Sequence, residues 1–187
     1  MPNHLKYYFS DQEARIIGLV FLFNSYLFGN WVTRVPDVKQ QLQLNDADLG
    51  LALLGAPVGS ILVMPLAGWI ISRLSLGRVV WISSLLHLAS PILLALASSL
   101  YELIAALFYF GLTNAIMDVA MNSAAAATEK KAKTPIMSTC HGMWSLGAML
   151  GSGLGSLFVG LAVGIPAHLI SLSVLVLFIV LLLYKRI

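Results

Sequence analysis

Six apolar runs follow one another along this chain, each roughly 20 residues long and so able to cross about 30 Å of hydrocarbon. Inside a bilayer no water is available to satisfy backbone N–H and C=O groups, so such a run has to close its own hydrogen bonds as a helix. The expected fold is an all-α membrane protein with six transmembrane helices. Composition agrees: 59% of the 187 residues are hydrophobic and 10% charged, against about 45–50% and about 25% in a soluble domain. Almost no soluble part is expected, and a single six-helix bundle over residues 1–187 accounts for the chain.

The polar breaks place the helix ends. Ser10-Asp11-Gln12-Glu13 has the spacing of a capping box that starts the first span, and Arg34-Val35-Pro36-Asp37 closes it. Residues 39–44 read as a short amphipathic connector. Asn45 or Asp46 caps the second span, 48–71, which carries Gly55, Pro57, Gly59, Pro65 and Gly68. A basic turn over 72–78 leads to the third span, 79–98, with His87 and Pro91 inside it. Tyr101 and Glu102 open the fourth, which ends in Glu129-Lys130-Lys131-Ala132-Lys133. Thr134-Pro135 has the pattern of an N-cap and first-turn proline for the fifth span, and Pro166 begins the sixth, which ends at Tyr184-Lys185-Arg186. Cys140 is the one cysteine, which excludes an internal disulfide and a cysteine-cluster metal site. The stretch Met1-Pro2-Asn3-His4-Leu5-Lys6 lacks the ordered regions of a cleavable signal, so the first apolar run is expected to act as a signal-anchor.

Orientation follows from the basic residues. Six spans put both termini on one side. That side gathers nine of the 11 Lys and Arg: Lys6, Arg15, Arg73, Arg78, Lys130, Lys131, Lys133, Lys185 and Arg186. Only Arg34 and Lys39 fall on the other. Cytoplasmic termini are therefore expected. Charges confined to membrane edges do not read as a nucleic-acid surface; the bilayer is the expected partner.

Within the fourth run, Asn114, Asp118 and Asn122 are spaced i, i+4, i+8, a polar stripe that drifts only about 80° around a helix. A carboxylate at membrane depth costs about 2.5–3.5 kcal/mol on insertion scales. A chain keeps such a group where it faces a partner or a wet cavity. Asp118 thus reads either as a proton-coupling carboxylate or as a hydrogen-bond anchor to Asn114, Asn122 or a neighbouring helix.

An internal echo suggests duplication. Leu54-Gly55-Ala56-Pro57-Val58-Gly59-Ser60-Ile61 is followed 96 residues later by Leu150-Gly151-Ser152-Gly153-Leu154-Gly155-Ser156-Leu157. Spans two and five become equivalent if residues 1–100 and 101–187 are three-helix repeats of inverted topology. The same spacing also serves generic close packing of helices in lipid.

The turn between spans two and three, Gly68-Trp69-Ile70-Ile71-Ser72-Arg73 then Gly77-Arg78, resembles the signature of the major facilitator superfamily. Ser72 stands where that signature has an aspartate, and one extra residue precedes the second glycine. Two further stretches resemble the fucose–proton symporter branch: residues 31–55, and Asp118-Val119-Ala120-Met121-Asn122 with 135–147 after the loop. The resemblance covers only the N-terminal half of that family, whose members carry about twelve helices in two bundles. It implies a secondary active transporter, or half of one, moving a small polar solute across a bacterial inner membrane with protons. The solute could be a sugar. The resemblance implies no cofactor and no enzyme, and it implies a missing C-terminal half or a second copy as partner. It makes Gly68, Arg73, Gly77 and Arg78 a cytoplasmic gating loop.

It also directs attention to span one, where Asn24, Asn30 and Trp31 offer amides and an indole suited to sugar hydroxyls and ring faces; Tyr26 and Phe28 stand beside them. Interhelical bonding and an interfacial tryptophan are the alternative reading. On span five, His141, Ser145 and Ser152 share a side with Trp144 adjacent, while Gly147, Gly151 and Gly155 occupy a face about 100° away. His141 could relay protons with Asp118. Span five lacks the Gly-Pro pair of drug antiporters, which weighs against multidrug export. The competing readings are a bis-histidine haem on His87 and His141, whose depths match, and an inactive fragment or membrane scaffold.

The topology is open to labelling. In a Cys140→Ser background, a Gln41→Cys side chain is expected to react with an impermeant maleimide added outside intact cells. A Ser75→Cys side chain is expected to react only after the membrane is opened.

Overall fold

The computed structural model describes residues 3–184; Lys185 and Arg186, assigned above to the last helix end, lie outside them. The helices in chain order are α1 (Asn3–Ser10), α2 (Gln12–Gln41), α3 (Asp46–Leu53), α4 (Gly55–Arg73), α5 (Leu76–His87), α6 (Ala89–Leu96), α7 (Leu100–Ala132), α8 (Met137–Gly160) and α9 (Ile165–Tyr184). There is no strand among the described residues. Six segments are long and apolar enough to cross a membrane, with α3 and α4 forming one and α5 and α6 another.

Prolines make those two breaks. Pro57 has no N–H for the carbonyl of Leu53, and Pro91 has none for that of His87, so the ladder opens at Leu54 and at Leu88. Helix ends differ from the sequence reading in three places. The first span is capped by Asp11, whose carboxylate accepts from the Ala14 N–H at 2.8 Å. Ser10 instead finishes α1, its hydroxyl bonded to the Tyr7 carbonyl at 2.9 Å. Pro36 does not close α2, which runs on to Gln41. The bond that Pro36 forfeits is the one to the Val32 carbonyl, and Val32 itself is exposed. Thr134 is not the cap of α8; the helix begins at Met137, whose N–H is met at 3.1 Å by the Glu129 carboxylate from the preceding helix.

Two helix pairs carry most of the packing, α2 along α8 and α4 along α7. The echoed glycines sit in these seams. A methyl added at Gly55 would stand 2.7 Å from the Ile104 carbonyl oxygen, and one at Gly59 would overlap that of Phe108. The counterparts Gly151 and Gly155 press on the Tyr26 carbonyl and on Thr33. With little hydrophobic drive between helices in lipid, such backbone approach supplies the dispersion contacts that hold them.

One end of the bundle buries Phe21, Met121, Ile136 and Cys140, tied across by Glu13 to Lys131 at 2.9 Å and to Thr128 at 3.1 Å. The other end buries Trp31, Leu94, Leu103, Leu107 and Leu169. The outward faces of α4, α8 and α9 leave Ile61, Leu62, Trp69, Met149, Leu157 and Phe178 exposed, an apolar coat suited to lipid or to more protein.

Gly111→Ala, which would drive a methyl into the Ala56 backbone, is expected to cost about 1–3 kcal/mol. Gly153→Ala meets open space and is expected to be neutral or slightly stabilising. Unfolding in mixed micelles against SDS fraction measures both.

Candidate functional site, a polar cavity between three helices

Asn24 on α2, Asn114 on α7 and Trp144 on α8 meet where the three helices diverge. The Asn24 amide is the hub. It donates to the Asn114 side-chain oxygen at 2.8 Å and accepts from the Trp144 indole N–H at 3.2 Å. Its amide nitrogen also lies 3.6 Å from the Met117 sulfur. The helix-helix approach at Gly147, against the backbone of Leu22, is what brings the indole within reach of Asn24.

These residues line a cavity of about 430 Å³, completed by Phe21, Phe28, Phe110, Asp118, Met121 and His141. Asp118 is half-buried. One of its carboxylate oxygens accepts from the Asn122 amide at 3.2 Å, and the same amide nitrogen donates to the Asp118 main-chain carbonyl at 2.9 Å. Asn122 thus holds the carboxylate from its own helix without lining the cavity. Asp118 belongs to none of the ion pairs among the described residues. A half-buried carboxylate with spare acceptor capacity, facing an open space, can take a proton or a donor group from a solute. His141 lies exposed in the same cavity, its ring edge-on to Phe21 with centroids 5.4 Å apart.

Of the span-one candidates, Asn24 and Phe28 reach this cavity, whereas Asn30 and Trp31 do not. Asn30 is buried in a separate polar system that the sequence reading did not anticipate. Its side-chain oxygen pairs with His168 Nε2 at 2.9 Å, and its amide donates to the Tyr26 carbonyl at 2.8 Å. The other ring nitrogen, Nδ1, accepts from Arg34 Nε at 2.8 Å. A guanidinium can only donate, so Nδ1 carries no proton and Nε2–H is the donor to Asn30. Arg34, placed above at the end of the first span, is 2% exposed, and its two terminal nitrogens donate to Asp37 at 2.6 Å and to the Val163 carbonyl at 2.7 Å. The i, i+4 spacing of Asn30 and Arg34 was the available signal; His168, in a strongly apolar run, gave none of its own.

Trp31 is buried against the outer core and lines a different, apolar recess of about 510 Å³ with Val32, Leu53 and Leu107. Phe28 and Phe110, with ring centroids 6.3 Å apart, line both spaces and form the partition between them. His87 is fully buried on Thr113 at 3.0 Å and against the Phe110 ring, and does not share a cavity with His141. At the turn between α4 and α5, Gly68 faces open space and Arg73 lies over the Trp69 ring at 5.6 Å. Arg73 and Arg78 are exposed, and neither pairs with a carboxylate among the described residues.

The sequence matches the Major Facilitator Superfamily over residues 16–187. It is similar to the uncharacterized transporter y4wD of Sinorhizobium fredii, 38% identical over 141 residues, which are 75% of this chain and 37% of that protein. An uncharacterized MFS-type transporter of Yersinia pestis is 35% identical over 135 residues, 72% of this chain and 35% of the relative. Membrane protein MosC of Rhizobium meliloti is 33% identical over 135 residues, 72% and 33% of the two chains. The chain thus spans about a third of the length of the curated relatives it matches.

His168→Ala strands the Arg34 and Asn30 groups in a dry interior, at an expected cost of about 2–4 kcal/mol. His141→Ala, at an exposed position, is expected to stay within about 0.5 kcal/mol of wild type. Chemical unfolding of the two variants in micelles compares them.

Proposed function

The chain belongs to the Major Facilitator Superfamily, and on that premise we propose that it forms the N-terminal half of a secondary active transporter. It moves a small polar solute and couples that movement to protons through Asp118. One observation carries the reading: a half-buried carboxylate that forms no ion pair among the described residues shares a roomy cavity with Asn114, Trp144 and His141. Protonation removes the charge that opposes movement of such a group through a low-dielectric interior, and deprotonation on the far side restores it. His141, which lines the same cavity, passes the proton on in this reading. The mix of amides and aromatic rings suits a hydroxylated solute such as a sugar, in keeping with the resemblance to the fucose–proton branch.

The rest of the machine comes from a C-terminal half or a second copy of this chain. That reading is supported by the third of the relatives' length that the chain matches and by the exposed apolar faces of α4 and α8. Two inverted repeats, 1–100 and 101–187, fit the packing: α2 with α8 and α7 with α4 exchange under such a symmetry, and each seam is lined by an echoed glycine pair. The distribution of basic residues supports cytoplasmic termini, and the family resemblance supports an inner membrane as the home. The gating role of Gly68, Arg73, Gly77 and Arg78 belongs to the same proposal, with an exposed Arg73 free to find its counter-charge elsewhere. The short match to longer relatives also favours a second reading, a non-transporting fragment that serves as a scaffold.

Sealed proteoliposomes with an imposed pH gradient separate the two. A labelled monosaccharide is expected to accumulate with wild type, and the gradient-driven component is expected to fall at least about tenfold in Asp118→Asn. Equal behaviour of the two proteins would remove the coupling role of Asp118. Crosslinking in native membranes is expected to yield a dimer if a second copy completes the cavity.

A further inference from the structure

We infer that the solute this cavity accepts carries a protonated nitrogen, seated on the Asp118 carboxylate and against the rings of Phe28 and Trp144. The inference rests on the cavity being the substrate site and adds the sign of the substrate's charge. The lining contains one carboxylate and neither lysine nor arginine. His141 is the one lining residue able to carry positive charge; it interacts with Asp118 through space but forms no ion pair with it, which leaves the carboxylate oxygens open to a solute. The polar groups nearest the carboxylate are committed elsewhere. Asn24 is consumed between Trp144 and Asn114, and Asn122 occupies a single carboxylate oxygen. What remains open to a solute is spare acceptor capacity at Asp118, the Asn114 amide N–H groups as donors and the exposed His141 imidazole.

The walls act in the same direction. Aromatic faces are the negative side of a quadrupole and attract an ammonium over them, most strongly on an indole. Phe28 is 40% exposed and Trp144 half-buried, so both present accessible surface. A carboxylate in a cavity lined by aromatic rings favours a cation, whereas a sugar phosphate or uronate meets the same negative charge with only the His141 imidazole to offset its own. The Asn114 donors suit a hydroxyl or carbonyl oxygen on the rest of the molecule. An amine on a hydroxylated frame satisfies all three elements together.

Three probes that share one ring and differ in charge test this: glucosamine, glucose and glucuronate. Equilibrium binding is read from Trp fluorescence, and independently by calorimetry, with the full chain in lipid nanodiscs at pH 6.5. Glucosamine is expected to bind about tenfold or more tighter than glucose, with glucuronate weakest. Asp118→Asn is expected to bring glucosamine down to the level of glucose. Should that variant fail to fold, Phe28→Ala serves in its place and is expected to weaken glucosamine more than glucose. Equal binding of glucose and glucosamine, both weakened by Asn114→Ala, would overturn the charge assignment and leave the solute site standing. Absence of binding by all three would overturn both, and would point to a cation from outside this chain as the partner of Asp118.

Discussion

How near α8 can come to α2 governs the geometry of this molecule. Where two helices cross with side chains between them, their axes stay about 8–10 Å apart. A glycine in the seam lets backbone meet backbone. Gly147 lies on the Leu22 carbonyl and Gly151 on that of Tyr26, so the turn of α2 that carries Asn24 is clamped between them. The Trp144 indole then reaches Asn24, and Asn24 reaches across to Asn114 on α7. The seam of α4 with α7, built from Gly55, Gly59 and Gly111, fixes α7 from its other side. The cavity is the space left where these two tight seams hold three helices apart.

Two polar systems in the same bundle show opposite solutions to the cost of polar atoms in an apolar setting. Around Arg34 each guanidinium nitrogen has a partner: His168, Asp37 and the Val163 carbonyl engage the three, and Asn30 engages the far side of the imidazole. That cluster is buried apart from Asp37 at its rim, and it joins α2 to α9 as a structural tie. Around Asp118 the matching is incomplete, and the surplus acceptor opens on a cavity. A satisfied buried network rigidifies; an unsatisfied group beside open volume has capacity left for a proton or a solute. The difference between them separates architecture from chemistry more cleanly than residue type does, since both contain asparagine, histidine and a charged side chain.

Much of the fold was legible in the chain because its strongest signals are local. Apolar run length announced six crossings, but not that two of them break near Pro57 and Pro91 while Pro36 and Pro65 are carried inside helices. The stripe of Asn114 and Asp118 was legible too, because a carboxylate in an apolar run has few places to go. Less legible were the ends: Pro36 sits inside α2 where its lost hydrogen bond falls on an exposed turn, and α8 takes its cap from Glu129 of the helix before it. Span one shows the limit most clearly. Asn24, Asn30 and Trp31 looked equivalent along the sequence, yet one lines the cavity, one is consumed by His168, and one packs into the outer core.

By itself, then, the sequence determined that this chain is helical, how many times it can cross a bilayer, and that Asp118 must face something other than lipid. Those are consequences of hydrogen bonding and solvation that act residue by residue. Tertiary structure alone decided which polar side chains meet. Partners such as Arg34 with His168, or Asn24 with Trp144, lie more than 100 positions apart, and whether they touch depends on seam distances and helix rotations that no local pattern encodes.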